Sequence, residues 1–274
     1  MKIIVPITLA SFALAVLLFG LRAGGVDMSP PLADAAADVP AAKAAASVAS
    51  PEPAFENAPV AVVELFTSEG CSSCPPADRL LYDLADRDDA RLFPLAFHVD
   101  YWNRLGWTDP FSDAAHSQRQ RAYARAVGSG RVYTPQMVVN GEREFVGSRR
   151  AAAEGAIQHA LSAPALATIE LHVALEGSEV RIDYAVTDAP DGAALHLALV
   201  QRRAEQAVPR GENAGRTLRH ANVVRAFETV GAGEGSQTLG LPSDLDAENA
   251  AVVAYAQVPD TKQIVGASRL RLSR

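Results

Sequence analysis

Sulfur is scarce in this chain: 274 residues carry two cysteines, Cys71 and Cys74. No further cysteine exists to build a disulfide framework, so the pair reads as chemistry before scaffolding. A basic excess is missing as well. The formal net charge is −7 and the pI about 5.4, which excludes the basic stripe that a nucleic-acid surface needs. No histidine stands at a short fixed spacing from the cysteines, no internal repeat is present, and the two tryptophans, Trp102 and Trp107, fall in one short segment. Hydrophobic residues make up 49%, but many are alanine, so the figure overstates core material. A chain of this length still buries a sizeable core and has room for two domains.

The N-terminus reads as targeting, outside the fold. Met1-Lys2 precedes an uncharged apolar run from Ile3 to Leu21, closed by Arg22. Across 1–22 that pattern is a secretory signal or an uncleaved inner-membrane anchor. The run exceeds the about 7–15 residues of a signal core and reaches the about 18 that span a bilayer. Leu21-Arg22-Ala23 is also a poor small-x-small cleavage site. Both points favour an anchor. Either way the remainder is exported, periplasmic or secreted, where a disulfide persists. Residues 23–58, rich in alanine and proline, read as a spacer.

From residue 59 strand and helix patterns alternate. The apolar run Ala61–Phe66, interrupted by Glu64, is a buried strand, and Leu92–Val99 is a second. Pro76–Arg87 places Leu80, Leu81 and Leu84 at helical spacing, and a helix follows Asp109 to about Val127. Gln136–Val139 and Arg143–Val146 flank Asn140-Gly141, the dipeptide of a tight hairpin, and Ser148 opens a last helix to about Leu161. The expected order over 59–163 is β-α-β-α-β-β-α. Beyond Pro164 the period becomes two: Ile169, Leu171, Val173 and Leu175, then Val180, Ile182, Tyr184 and Val186. Further strands are expected at Leu195–Val200, Asn222–Val230, Ala251–Val258 and Ile264–Leu272, so 164–274 reads as a β-rich, sandwich-like second domain.

The chemistry concentrates at Cys71-Ser72-Ser73-Cys74, between a strand and a helix opened by Pro75-Pro76. Proline suits the first helical turn, where amides have no partner. The helix end stabilises a thiolate, and the two-residue spacer brings the sulfurs within bonding reach. Cys71 is the expected attacking thiolate, open to a partner, and Cys74 the resolving thiol behind it. An inert loop disulfide is the alternative. Glu64 is either a proton relay to the resolving thiol or a charge at the strand margin. His98, with Trp102 and Trp107 close behind, ends the second strand, where α/β sheets place ligands; a packed loop is the bland reading. Thr134-Pro135 precedes the third strand, and sequence alone gives a trans bond. Arg119 and Arg121 read as a solvated helix face, and Arg210, Arg216, Arg219, His220 and Arg225 as loop and edge charge.

At these residues the chain resembles known families. Val60–Leu161 resembles the thioredoxin-fold superfamily in element order, CxxC placement and a Thr-Pro before the hairpin. That resemblance implies an α/β thioredoxin-like domain, a cis Pro135 beside the dithiol, and Thr134 as the residue that holds a substrate backbone. Gly70 and the Ser-Ser spacer depart from thioredoxin itself, where a tryptophan and Gly-Pro stand. More closely, Val63–Asp78, His98–Trp107, Tyr133–Gly141 and Arg216–Arg225 are similar to a family of secreted bacterial proteins known only as domain of unknown function 1223.

The leading expectation is an exported thiol–disulfide oxidoreductase. Catalytic Cys71, Cys74 and Glu64 would act with Thr134, Pro135, His98 and Trp102 on protein thiols or disulfides of the cell envelope. It needs no cofactor beyond the redox-active disulfide. Two alternatives stand beside it: a copper-binding module using both thiols with His98 or His116, and a non-catalytic adaptor whose disulfide is permanent.

Overall fold

A run of apolar sequence broken by one acid, Glu64, forms β1 (Ala61–Thr67) inside the main sheet. The computed structural model describes residues 58–87, 89–126, 128 and 130–273; the expected signal or anchor and the spacer up to residue 57 lie outside the described residues. β2 (Leu92–His98) pairs with β1 in parallel, and both are buried along their whole length. Unbroken apolar runs are what strands covered on both faces require. Between them lies α1 (Pro75–Ala85), and α2 (Ala114–Ala126) follows β2. β3 (Gln136–Val139) runs antiparallel to β1 and turns into β4 (Arg143–Val146) through Asn140 and Gly141, at φ 47° and 74°. α3 (Arg150–Ala160) completes this segment.

The remaining strands are β5 (Thr168–Glu176), β6 (Glu179–Thr187), β7 (Ala194–Val208), β8 (Arg216–Gly231), β9 (Glu234–Gly240), β10 (Ala250–Gln257) and β11 (Ile264–Arg271). They do not make a sandwich of their own. β5, β6 and β9 form a small antiparallel sheet, while the others extend the first sheet to eight strands in the order β11-β10-β7-β8-β2-β1-β3-β4. The join is a short parallel pairing, Ala96 with Val223. Beside it Asn222, at φ 47°, donates from Nδ2 to the Pro94 carbonyl at 2.8 Å. The expected α/β thioredoxin-like domain followed by a separate β domain is therefore overturned. The protein is mostly β, and one mixed sheet runs through both segments. The physical reason is that β7 and β10 carry apolar residues on both faces and need cover on both.

Alternation along the strands sorts the core. Val62, Phe66, Phe93, Leu95, Phe97, Ala198, Val200, Val224, Val253 and Tyr255 share one face with Tyr123 of α2. On the reverse face α1 and α3 cover Ala61, Val63, Leu65, Ala96 and Val223. Farther along that face the three-stranded sheet covers Leu195, Leu197, Leu199, Val252 and Ala254.

Candidate functional site

The chain leaves β1 through Ser68-Glu69-Gly70 and reaches a disulfide between Cys71 and Cys74, whose Cα atoms are 5.4 Å apart. Cys74 is the residue before α1, and Pro75 and Pro76 occupy the first helical positions. The Cys74 amide donates to the Cys71 carbonyl at 3.2 Å, and the Cys74 carbonyl accepts from Ala77 and Asp78. One sulfur has polar company. The Thr134 hydroxyl donates to Cys71 Sγ at 3.3 Å, and Ser73 Oγ lies 3.3 Å from the same atom. Trp102 Nε1 donates to Thr134 Oγ1 at 2.8 Å, which anchors the hydroxyl oxygen beside the sulfur. The Thr134–Pro135 bond is cis. Pro135 is buried, and its carbonyl accepts from Gly147 N at 2.9 Å.

Both cysteines are 0% exposed. The open Cys71 expected from the sequence is corrected: Ser72 and Ser73 face solvent, but neither sulfur does. The turn joining β7 to β8 grips the backbone on either side of Cys71. Asn213 Nδ2 donates to the carbonyls of Glu69 at 2.8 Å and Cys71 at 2.9 Å, and Glu212 Oε2 accepts from the Ser72 amide at 3.1 Å.

Beneath the loop is a buried acid–base cluster. Glu69 is its hub: its amide donates to Asp109 Oδ2 at 2.8 Å, Oε2 accepts from Trp107 Nε1 at 2.8 Å, and Oε1 meets His220 Nε2 at 3.2 Å. His98 Nδ1 pairs with Asp109 Oδ2 at 2.7 Å, and the His98 and His220 rings meet edge to face, centroids 4.7 Å apart. Asp78 stands four residues after Cys74, on the same face of α1, and its Oδ1 accepts from Thr67 at 2.7 Å. Asp78 Oδ2, His98 Nε2 and His220 Nδ1 are buried without a hydrogen-bond partner. Burial pushes the Asp78 carboxyl above its ordinary range, against the pull of His220, His98 and the Thr67 hydroxyl. For Asp109 burial acts the same way, but the charge and hydrogen bond of His98 and the amides of Glu69 and Phe111 outweigh it, and its pKa falls. Burial opposes protonation of His98, yet Asp109, Asp78 and Glu69 raise its pKa above the usual imidazole value.

Glu64 is elsewhere. Its neighbours Val63 and Leu65 face α1, so Glu64 points to the opposite face of the sheet. There Oε1 accepts from Arg119 Nε at 2.7 Å and Tyr255 OH at 2.9 Å, and Oε2 accepts from Arg119 Nη2 at 3.2 Å and from Tyr123 OH. The relay reading of Glu64 does not hold, nor does the solvated reading of Arg119. That guanidinium lies among the rings of Phe97, Tyr123, Phe227 and Tyr255 at 5.1–5.7 Å. His220 and Arg225 are likewise not edge charges. His220 sits on Glu69, and Arg225 pairs with Asp244 over the Phe111 ring.

The structure thus brings Cys71, Cys74, Thr134, Pro135 and Trp102 together, sets His98 behind them and leaves Glu64 out. Among the described residues no set of three His, Cys, Asp or Glu side chains is placed to hold a metal ion. His98 is engaged with Asp109, and His116 Nδ1 lies 2.9 Å from the His98 carbonyl oxygen. Sequence reasoning missed Glu69, Asp78, Asp109, Glu212 and Asn213. Asp78 had a signal, its spacing of four from Cys74 on a helix; the hairpin residues had none.

Residues 62–257 match the family described as protein of unknown function (DUF1223). The chain belongs to this family. It is similar to a protein of Agrobacterium tumefaciens with a crystal structure, at 30% identity and a TM-score of 0.58, over 77% of this chain and 93% of that one. HBP35 of Porphyromonas gingivalis shares the fold at a TM-score of 0.57, with 17% identity over 81% of this chain and 77% of that one. No curated protein matches the chain.

Proposed function

We propose that this family member exchanges thiols and disulfides through Cys71 and Cys74, with dithiol or disulfide proteins of the exported compartment as partners. The observation that carries the reading is the Thr134 hydroxyl aimed at Cys71 Sγ and held there by Trp102. A structural disulfide has no use for an oriented donor at one sulfur. A thiolate does, because hydrogen bonds to the charged form lower a thiol's pKa.

In the direction that reduces the protein, a partner thiolate attacks Cys71 Sγ. The Cys71–Cys74 bond breaks, Cys74 leaves as a thiolate, and a proton from Asp78 neutralises it. The partner's second thiolate then attacks its own sulfur in the mixed disulfide and releases Cys71. Two electrons pass from partner to protein, and the partner ends as a disulfide. The reverse sequence oxidises the pair. Asp78, with its raised pKa and position on the helix of Cys74, takes the role that the sequence had offered to Glu64.

Trapping tests this directly. Cys74→Ser accumulates mixed disulfides with envelope proteins and Cys71→Ser does not; Cys71→Ser also abolishes insulin reduction. Wild-type activity in Cys71→Ser overturns the proposal. The burial of both sulfurs favours a second reading, a permanent disulfide in a non-catalytic adaptor. A reduction potential below about −300 mV, out of reach of exchange partners, decides for that one.

A further inference from the structure

We infer that the turn between β7 and β8 is a strap over the disulfide, with Asn213 and Glu212 as the positioning residues that hold it shut. The inference rests on the exchange reading and names what regulates access to that site. Five observations carry it. The ladder of β7 and β8 ends at Val208 with Arg216, so residues 209–215 are free of sheet pairing. The tip is internally ordered: Gly215 N donates to the Val208 carbonyl at 2.8 Å, Ala214 N to Gly211 at 3.2 Å, and Arg216 Nη1 to Asn213 Oδ1 at 3.1 Å. Asn213 is buried although every neighbour from Gly211 to Thr217 is exposed, so its side chain is the peg that enters the protein. Its amide satisfies the carbonyls on either side of Gly70, the backbone that delivers Cys71. Gly211, at φ 81°, rests on Trp107, where an added Cβ would come within 3.1 Å of the Trp107 Cβ.

Glu212 adds an electrostatic effect. Its carboxylate accepts hydrogen bonds from the Ser72 hydroxyl and amide, and these contacts hold its pKa below the usual range. An anion here disfavours a second one on the adjacent Cys71. Lifting the strap therefore does two things at once: it uncovers the sulfurs and removes a charge that opposes the thiolate. Closed, the strap protects the disulfide; open, it presents Cys71 in its more acidic form.

The test is reduction of the folded protein by dithiothreitol, read as free thiol against time. The reductant's thiolate opens the bond, the pair takes up two electrons and two protons, and the reductant closes to its cyclic disulfide. Asn213→Ala is expected to react about 5- to 150-fold faster than wild type, the range for losing two buried hydrogen bonds. Glu212→Gln, an exposed change that spares the core, also reacts faster and lowers the pH at which reduced Cys71 is alkylated. Opening of the strap exposes little surface, so these rates stay flat in sub-denaturing urea, whereas reduction through global unfolding accelerates steeply. Rates within twofold of wild type in both variants, or a gain that appears only with urea, overturn the strap. Insulin reduction keeps the two ideas apart: fast opening without catalysis removes the exchange reading and leaves the strap, and catalysis without faster opening does the reverse.

Discussion

Replacing Glu64 with glutamine separates a catalytic from a structural carboxylate. The side chain is 0% exposed, and Arg119, its cation, has only 11% of its side chain exposed. Glutamine keeps one acceptor for the hydroxyls of Tyr123 and Tyr255 but turns an N–H toward the guanidinium and removes the countercharge. Breaking one partner out of a buried ion pair costs about 3–5 kcal/mol. For a domain of about 200 residues each kcal/mol is worth about 2–4 °C, so Tm falls by about 6–20 °C. The residual exposure of Arg119 places the expectation in the lower half of that range. Arg119→Met loses a similar amount, and the double variant loses less than the sum, because no unpaired charge is left behind. Urea unfolding of the oxidised proteins at neutral pH gives the stabilities, and insulin reduction in the folded variants gives the chemistry. Glu64→Gln is expected to lower the first and spare the second. A loss under about 1 kcal/mol, or a tenfold slower reaction in protein that is still folded, refutes the assignment of Glu64 to a structural pair.

Other consequences follow from the site. Asp78→Asn slows proton-coupled exchange by about 100-fold or more, as expected for losing a general acid, and flattens its pH profile; an unchanged profile removes Asp78 from the mechanism. Because the folded pKa of Asp78 is raised, its ionisation costs stability as pH climbs above the unfolded value near 3.9, so the same variant gains stability at neutral pH. The His98–Asp109 pair carries two shifts of opposite sign. Its contribution is full between the unfolded values of about 3.9 and about 6.5, is lost as pH rises through the raised pKa of His98, and is lost again as pH falls through the lowered pKa of Asp109. Tm measured from pH 4 to 9 therefore shows a wild-type advantage over Asp109→Asn that shrinks toward alkaline pH. Gly147→Ala places a methyl 2.7 Å from Leu65 Cδ1 and 3.3 Å from Pro135 Cβ, and the overpacking lowers the urea-derived stability by about 1–3 kcal/mol.

What the sequence showed was local. A CxxC between a strand and a Pro-opened helix announces a disulfide at a helix start, and Asn140-Gly141 announces its turn, because each depends on a few neighbouring residues. The join of β8 to β2 depends on residues more than a hundred positions apart and rests on one paired register and the side chain of Asn222. A hint was present in Leu195–Val200 and Ala250–Gln257, apolar without alternation, which a one-sided sandwich strand does not need. Arg119 was misread because α2 carries so little apolar sequence that its buried face looks solvated; its burial is created by four rings, three of them from β2, β8 and β10. His220 was misread because its partner Glu69 lies 151 positions earlier in the chain.

One β-arm now serves the site three times. β8 brings Val223 to the sheet, His220 to the acid–base cluster, and, one turn earlier, Asn213 to the disulfide loop. Because the first two anchor the strand, opening is confined to residues 209–215, and its cost is set by the buried amide of Asn213. Two such hydrogen bonds are worth about 1–3 kcal/mol, an open fraction between about one in five and one in 150. A small reductant meets the disulfide only in that fraction, so its apparent rate is reduced by the same factor. A partner chain that offers its own N–H groups to the carbonyls of Glu69 and Cys71 replaces what Asn213 gave and escapes the penalty. Asn213→Ala should therefore accelerate small thiols far more than a cognate protein, and equal acceleration of both would mean that the partner makes no such contact.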